Sequence, residues 1–184
     1  MKYTRKISIL ILLFCILLPI SMTDAKDSEE PYLTFCGANG TIFGSCHLLF
    51  TGQNKYLLDC GLFQEEGYPE REVERRNRFL PFKPSEIDAI FVTHAHGDHI
   101  GRVPYLVRKG FRGKIYCTRA TAEIAEEMLN LLAWILSHES NLFNHQHVQL
   151  TLSNLVPCRY YNEYQLADGF SFRFLEAGHI LGSA

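Results

Sequence analysis

Apolar and polar positions fall in short blocks along this chain, and the turn residues between them mark out strands and helices. Tyr32 to Cys36, Cys46 to Phe50 and Lys55 to Asp59 read as three short strands. The turns Gly37-Ala38-Asn39-Gly40 and Thr51-Gly52-Gln53-Asn54 separate them, so an antiparallel meander is the simplest pairing. Gln64 to Arg78 is rich in Glu and Arg and predicts a solvated loop or helix face, closed off by Pro81 and Pro84. Ala89 to Thr93, apolar up to its last residue, predicts a buried strand.

Beyond it, Gly101 to Lys109 predicts a short helix with Pro104 in its first turns and Gly110 at its end, followed by a strand from Lys114 to Cys117. Thr118 or Thr121 can cap the next helix, in which Ile124, Met128, Leu131, Leu132 and Ile135 recur at helical spacing as one core-facing stripe. Met128 and Trp134 read as core residues. A helical segment over Val148 to Leu155 and strands at Cys158 to Tyr164 and Phe170 to Leu175, joined by Asp168-Gly169, complete the pattern. Strands alternating with helices define an α/β chain.

Ahead of this pattern lies a different one. Lys2, Arg5 and Lys6 precede an apolar run from Ile7 to Ile20, and Thr23-Asp24-Ala25 supplies small residues before a cut, the layout of a signal peptide over residues 1–25. The run is shorter than the ~20 residues of a spanning helix. Export is therefore the expectation, with a membrane anchor or retention in the cytoplasm as alternatives. Removing the segment would take away three basic residues and one acidic residue, leaving a mildly acidic chain.

Composition adds exclusions. With 47% hydrophobic and 21% charged residues, the 184-residue chain is neither disordered nor a disulfide-dense miniprotein. Its formal charge of -2 gives no broad basic footprint for nucleic acid. Beyond residue 25 there are five cysteines, Cys36, Cys46, Cys60, Cys117 and Cys158, an odd number without a CxxC pair. They suggest neither a closed disulfide framework nor a zinc knuckle, and thiols of this kind suit a reducing compartment.

The chemistry concentrates in His94-Ala95-His96-Gly97-Asp98-His99, where four potential metal ligands occupy six positions at the end of a buried strand. In an extended segment His94 and His96 project to the same side and can face one cation. Asp98 and His99 lie one loop turn further on and can face a second, with Gly97 permitting a tight backbone path between the pairs. Imidazole nitrogens and a carboxylate oxygen suit zinc and leave a position open for water or substrate. His47, His138, His145 and His147 match no ligand position.

Thr93 to His99 resembles the HxHxDH signature of the metallo-β-lactamase superfamily. Gly40-Thr41 with Gly44-Ser45-Cys46, Leu57 to Gln64 and Ala177 to Ala184 further resemble its β-CASP branch, the ribonucleases related to cleavage-and-polyadenylation specificity factor and bacterial RNase J. The resemblance implies an αββα sandwich and two zinc ions: His94, His96 and His179 on the first, Asp98 and His99 on the second. It implies that Asp59 orients the site through hydrogen bonds without binding metal, that Asp98 orients the attacking water, and that the substrate is an RNA phosphodiester. It also implies that 26–184 is a partial domain, because the metal-bridging aspartate, the β-CASP insert and a late histidine follow Ala184 in that branch. A downstream segment or another chain would then complete the site, and one apolar sheet face would lie bare. Two alternatives stand beside a ribonuclease: a metallo-hydrolase of a small ester or lactam, and a non-catalytic metal-binding scaffold.

Overall fold

The computed structural model describes residues 30–167 and 169–184, so the expected signal segment at 1–25 lies outside the described residues. Six strands form one mixed sheet in which spatial order follows chain order: β1 (Tyr32–Phe35), β2 (His47–Phe50), β3 (Lys55–Leu58), β4 (Ala89–Phe91), β5 (Lys114–Thr118) and β6 (Leu155–Cys158). The first three make the predicted meander, with Leu33 opposite Leu49 and Leu48 opposite Leu57. Its second turn closes through Thr51 N–H to the Asn54 carbonyl at 3.0 Å.

From β3 onward the pairing is parallel, and a parallel neighbour requires a crossover. Helix α1 (Glu70–Arg78) and a 3-10 turn (Pro84–Glu86) fill the first crossover, α2 (Gly97–Ile100) and α3 (Val103–Arg108) the second, and α4 (Arg119–Glu139) and α5 (His145–Leu152) the third. The charged stretch is a surface helix, as expected, with Glu72 bridging Arg75 and Arg76. Asn77 turns inward instead, accepting from Phe63 N–H and donating to the Phe63 carbonyl.

Side chains alternate across the sheet and bury both faces. Leu57, Ile90, Val92, Ile115 and Cys117 join the helices in the larger core. Tyr56, Ala89 and Phe91 face the opposite way, under Phe170, Phe172 and Phe174 from the small hairpin of β7 (Tyr164–Gln165) and β8 (Ser171–Phe172). Phe172 lies 4.6 Å from the Phe91 ring and 5.0 Å from Tyr116. The central strands are therefore covered on the face expected to be bare, while edge strand β1 is exposed throughout.

Three expectations shift. Helix α4 buries Thr121, Ala125, Leu129, Leu132, Ala133 and Leu136, a stripe rotated from the predicted one. Leu131 is 53% and Trp134 67% exposed, and Trp134 packs on His138, while Met128 lies against the core. The reason is the small residues: Ala125 and Ala133 are buried within the same core as the sheet strands, a role that the weight of large side chains hid. Helix α5 starts at His145, capped by Asn144 and His147, and so ends early enough for β6 to begin at Leu155. Pro157 is tolerated there because β6 is an edge strand. The last two predicted strands shrink to the two-residue β7 and β8.

Candidate metal centre

The site is assembled at the carboxyl end of β4. Val92 N–H still donates to the Tyr116 carbonyl at 2.8 Å, after which Thr93 and His94 leave the sheet. His96 is the cap residue of α2, its carbonyl accepting from His99 N–H at 2.9 Å and Ile100 N–H at 3.0 Å. Asp98 and His99 thus share one helical turn. His179 arrives from the far end of the chain.

Three imidazoles meet. The nitrogens of His94, His96 and His179 that could bind a metal all lie within 4.8 Å of one another. His96 Nδ1 is 3.1 Å from His94 Nε2 and 3.2 Å from His179 Nε2. A tetrahedral cation with metal–nitrogen distances of about 2.0–2.1 Å spaces its ligand nitrogens about 3.3 Å apart, so the donor set fits a metal ion. His94 is buried, and burial followed by the neighbouring His99 pushes its pKa down to about 4. It is neutral at pH 7, as a ligand must be.

Asp59 organises the other half. Its backbone sits in the left-handed region (φ 60°), a conformation Asp tolerates better than most residues. Oδ1 accepts from Thr93 N–H at 2.8 Å, and Oδ2 accepts from the Thr93 hydroxyl at 2.9 Å, Ser45 Oγ at 3.2 Å and His99 Nδ1 at 2.7 Å. The Thr93 hydroxyl, with its hydrogen spent on Asp59, accepts from His94 Nδ1 at 3.0 Å. Both chains of bonds leave the Nε2 atoms of His94 and His99 free to face the site. His99 Nε2 lies 3.5 Å from Asp98 Oδ2. Burial pulls the His99 pKa down, but the hydrogen bond and charge of Asp59, then the charge of Asp98, outweigh it and raise it. The structure thus groups His94, His96 and His179, with Asp98 and His99 beside them as a two-donor pair.

His179 is set by a tight turn. Its N–H and that of Ile180 donate to Ser183 Oγ at 3.0 and 3.2 Å, and the Gly182 carbonyl accepts from the Thr118 and Thr121 hydroxyls at 2.6 and 2.9 Å. Ala184 N–H closes on the Thr93 carbonyl at 3.0 Å, tying this turn to the end of β4. Close approach belongs to Gly182, where a Cβ would sit 2.6 Å from Thr121 N; Gly178 has open space and contributes its positive φ of 69°.

Gly97 does not supply the tight path expected of it. It opens α2 without a positive φ, and a Cβ there would meet only Leu132 at 3.7 Å. The glycine that the site requires is Gly61. A Cβ at Gly61 would fall 1.5 Å from the Asp98 carbonyl oxygen, because segments 45 and 60–62 clamp α2 backbone to backbone. Ser45 N–H donates to Asp98, Cys60 N–H to His99 and Leu62 N–H to Gly97, at 2.8 to 2.9 Å. Sequence reasoning singled out neither Gly61, Thr93 nor Ser45 for this work; only their place inside the quoted motifs hinted at it. The remaining histidines stay apart, as expected: His147 caps α5 and His138 contacts the Trp134 carbonyl.

The chain belongs to the metallo-beta-lactamase superfamily, whose family model matches residues 39–170. Its curated relatives are of the β-CASP RNA-processing branch. It is 39% identical over 148 residues to a ribonuclease of Thermus thermophilus, covering 80% of this chain and 32% of that protein. It is 32% identical over 162 residues to a transcription termination factor of Methanothermobacter thermautotrophicus (86% and 25%). It is 28% identical over 165 residues to subunit 3-I of the cleavage and polyadenylation specificity factor of Arabidopsis thaliana (87% and 23%). The chain therefore spans a third or less of the length of these relatives. A HARLDQ-motif mutant of a metallo-beta-lactamase from Cronobacter sakazakii shares the fold, with TM-score 0.50 and 20% identity over 84% of this chain and 57% of that one.

These relatives overturn the expectation of export. Those relatives are a ribonuclease and transcription termination factors, proteins named for work on RNA. Among the described residues no helix is long and apolar enough to cross a membrane.

Proposed function

We propose that this chain is part of a zinc-dependent ribonuclease that hydrolyses RNA phosphodiesters. The observation that carries the reading is the convergence of His94, His96 and His179, the last 83 positions beyond His96, on one point at the end of β4. Three nitrogen donors without sulfur, beside a carboxylate, suit zinc. His94, His96 and His179 would hold the first ion, and Asp98 and His99 would contribute to a second. A bound divalent ion supplies Lewis acidity toward a phosphoryl oxygen and lowers the pKa of water.

The protein's own groups do the rest. Asp98, half-buried in α2's first turn, holds the attacking water by a hydrogen bond and takes up its proton. Asp59 receives no substrate: it is buried, and it fixes His99 and, through Thr93, His94. The pair Asp98 and His99 offers only two donors, so further ligands for a second ion come from a segment beyond the described residues or from another chain. The RNA-named relatives support RNA as substrate over a small ester or lactam.

The test compares turnover of single-stranded RNA, a thioester and a lactam by the full-length zinc-loaded protein. RNA cleavage that disappears in His96→Ala is expected. Turnover of thioester or lactam with RNA left intact refutes the substrate, and RNA cleavage unaffected by His96→Ala refutes the site.

A further inference from the structure

Three of the five described cysteines stand in a row beside the metal centre, in a place the proposed hydrolysis does not use. Cys36 follows the last register pair of β1 and β2, Phe35 opposite His47, so it faces Cys46, and its N–H donates to the Cys46 carbonyl at 2.8 Å. Residues directly opposite on antiparallel strands have Cα atoms about 4.5–5.5 Å apart, inside the about 4.4–6.8 Å that a disulfide spans. Cys36 Sγ donates to the Thr34 carbonyl at 3.6 Å, and the Cys36, Cys46 and Cys60 thiols lie close enough to influence one another's protonation. All are free thiols; Cys46 and Cys60 are buried and Cys36 is half-buried.

Cys36 also has access and a cation. It lines a cavity of about 300 Å³ between the Gly37–Gly44 loop and α1, shared with Arg102. Arg102 is buried, donates to the carbonyls of Gly61, Arg76 and Phe79, and makes no ion pair among the described residues. A buried guanidinium held only by neutral carbonyls favours an anion at the mouth of that cavity.

We propose that Cys36 is a modification site for peroxide-class oxidants, with Cys46 as the thiol that resolves it into a Cys36–Cys46 disulfide. The Cys36 thiolate attacks one peroxide oxygen: a sulfur–oxygen bond forms, the oxygen–oxygen bond breaks, hydroxide leaves, and sulfur gives up the two electrons that reduce the peroxide. The Cys46 sulfur then attacks the sulfenic sulfur, the S–S bond forms, and the departing hydroxyl takes the Cys46 proton and leaves as water. The thiol chemistry is arranged for this order. The neighbouring Cys46 thiol, then the Leu48 backbone and the Arg102 charge, outweigh burial and hold Cys36 down at about 7, while Cys46 is pushed up and keeps its proton. Cys117, buried elsewhere in the sheet, is pushed up to about 12 and stays inert.

The test treats the reduced full-length protein with hydrogen peroxide and maps disulfides by mass spectrometry under non-reducing conditions. A Cys36–Cys46 peptide pair, reversed by dithiothreitol, is expected, with dimedone trapped on Cys36 in Cys46→Ser. Alkylation of the untreated wild-type protein by iodoacetamide gives a readout independent of any variant. At pH 7 about half of Cys36 is thiolate against about 3% of an unperturbed thiol. Lower intrinsic nucleophilicity takes back about fivefold, so labelling about threefold faster than free cysteine is expected, flattening above about pH 8. A Cys46–Cys60 disulfide, no disulfide at all, or Cys36 labelling slower than free cysteine would overturn the proposal.

Discussion

Replacing Gly61 by alanine adds one methyl group to a segment that shares no sequence neighbourhood with the histidine motif, yet it should disable the site. The new Cβ would lie 1.5 Å from the Asp98 carbonyl oxygen, 1.9 Å from its carbonyl carbon and 2.5 Å from His99 N. Real Cβ contacts essentially never fall under 3.0 Å, so the two backbones must part by about 1.5 Å. All of these atoms are backbone, and no rotamer change relieves them. Parting them stretches the hydrogen bonds from Ser45, Cys60 and Leu62 to α2, the turn that carries Asp98 and His99.

A misplacement of about 1 Å costs about 100-fold in rate, roughly 2.7 kcal/mol of barrier. The strain itself costs about 1–3 kcal/mol of stability, which for a domain of this size lowers the melting temperature by about 3–10 °C. The assay is thermal unfolding followed by circular dichroism, paired with RNA cleavage by the full-length protein. Gly97→Ala is the control: it sits inside the motif, but its Cβ has room at 3.7 Å from Leu132. Gly61→Ala with wild-type melting and cleavage, or Gly97→Ala as damaging as Gly61→Ala, would refute the backbone clamp.

Other substitutions separate the roles of individual groups. Asp59→Asn keeps a residue suited to the left-handed backbone but removes the charge that His99 and Thr93 hydrogen-bond to, so metal affinity measured by competition with a chelator should fall about 10- to 100-fold. Thr118→Ala removes the cap of α4 together with a bond to the Gly182 carbonyl, and chemical denaturation should register a loss of about 0.5–2 kcal/mol. Trp134→Ala should change stability by less than about 0.5 kcal/mol, whereas Leu129→Ala, fully buried on the opposite side of the same helix, should cost about 2–5 kcal/mol.

Much of this could be read in the sequence because it is local. The strand Ala89 to Phe91 and the ligands that follow it are contiguous, and their density announces a metal site before any fold is known. His179 and Asp59 were identified by likeness to a family, since a single residue at a strand end carries no spacing to read. Gly61, Thr93 and Ser45 act through contacts across 14 to 53 positions, which periodicity does not encode. Helix α4 shows the opposite failure: its apolar residues outnumber its buried positions, and the choice of face fell to two alanines that a reading weighted by size passes over. The predicted pairing of β1 and β2 already sets Cys36 opposite Cys46, whereas the cavity and the Arg102 charge beside Cys36 come from distant segments that periodicity does not bring together.

The most direct measurement is RNA cleavage by the full-length protein after its metal has been stripped by a chelator and then restored with zinc, run beside His96→Ala and His179→Ala. Loss of cleavage on stripping, recovery on adding zinc to the wild type, and no recovery in either variant are the expected results. Cleavage that persists in stripped protein, or zinc-restored cleavage in His179→Ala equal to that of the wild type, would contradict a metal centre built by the three imidazoles.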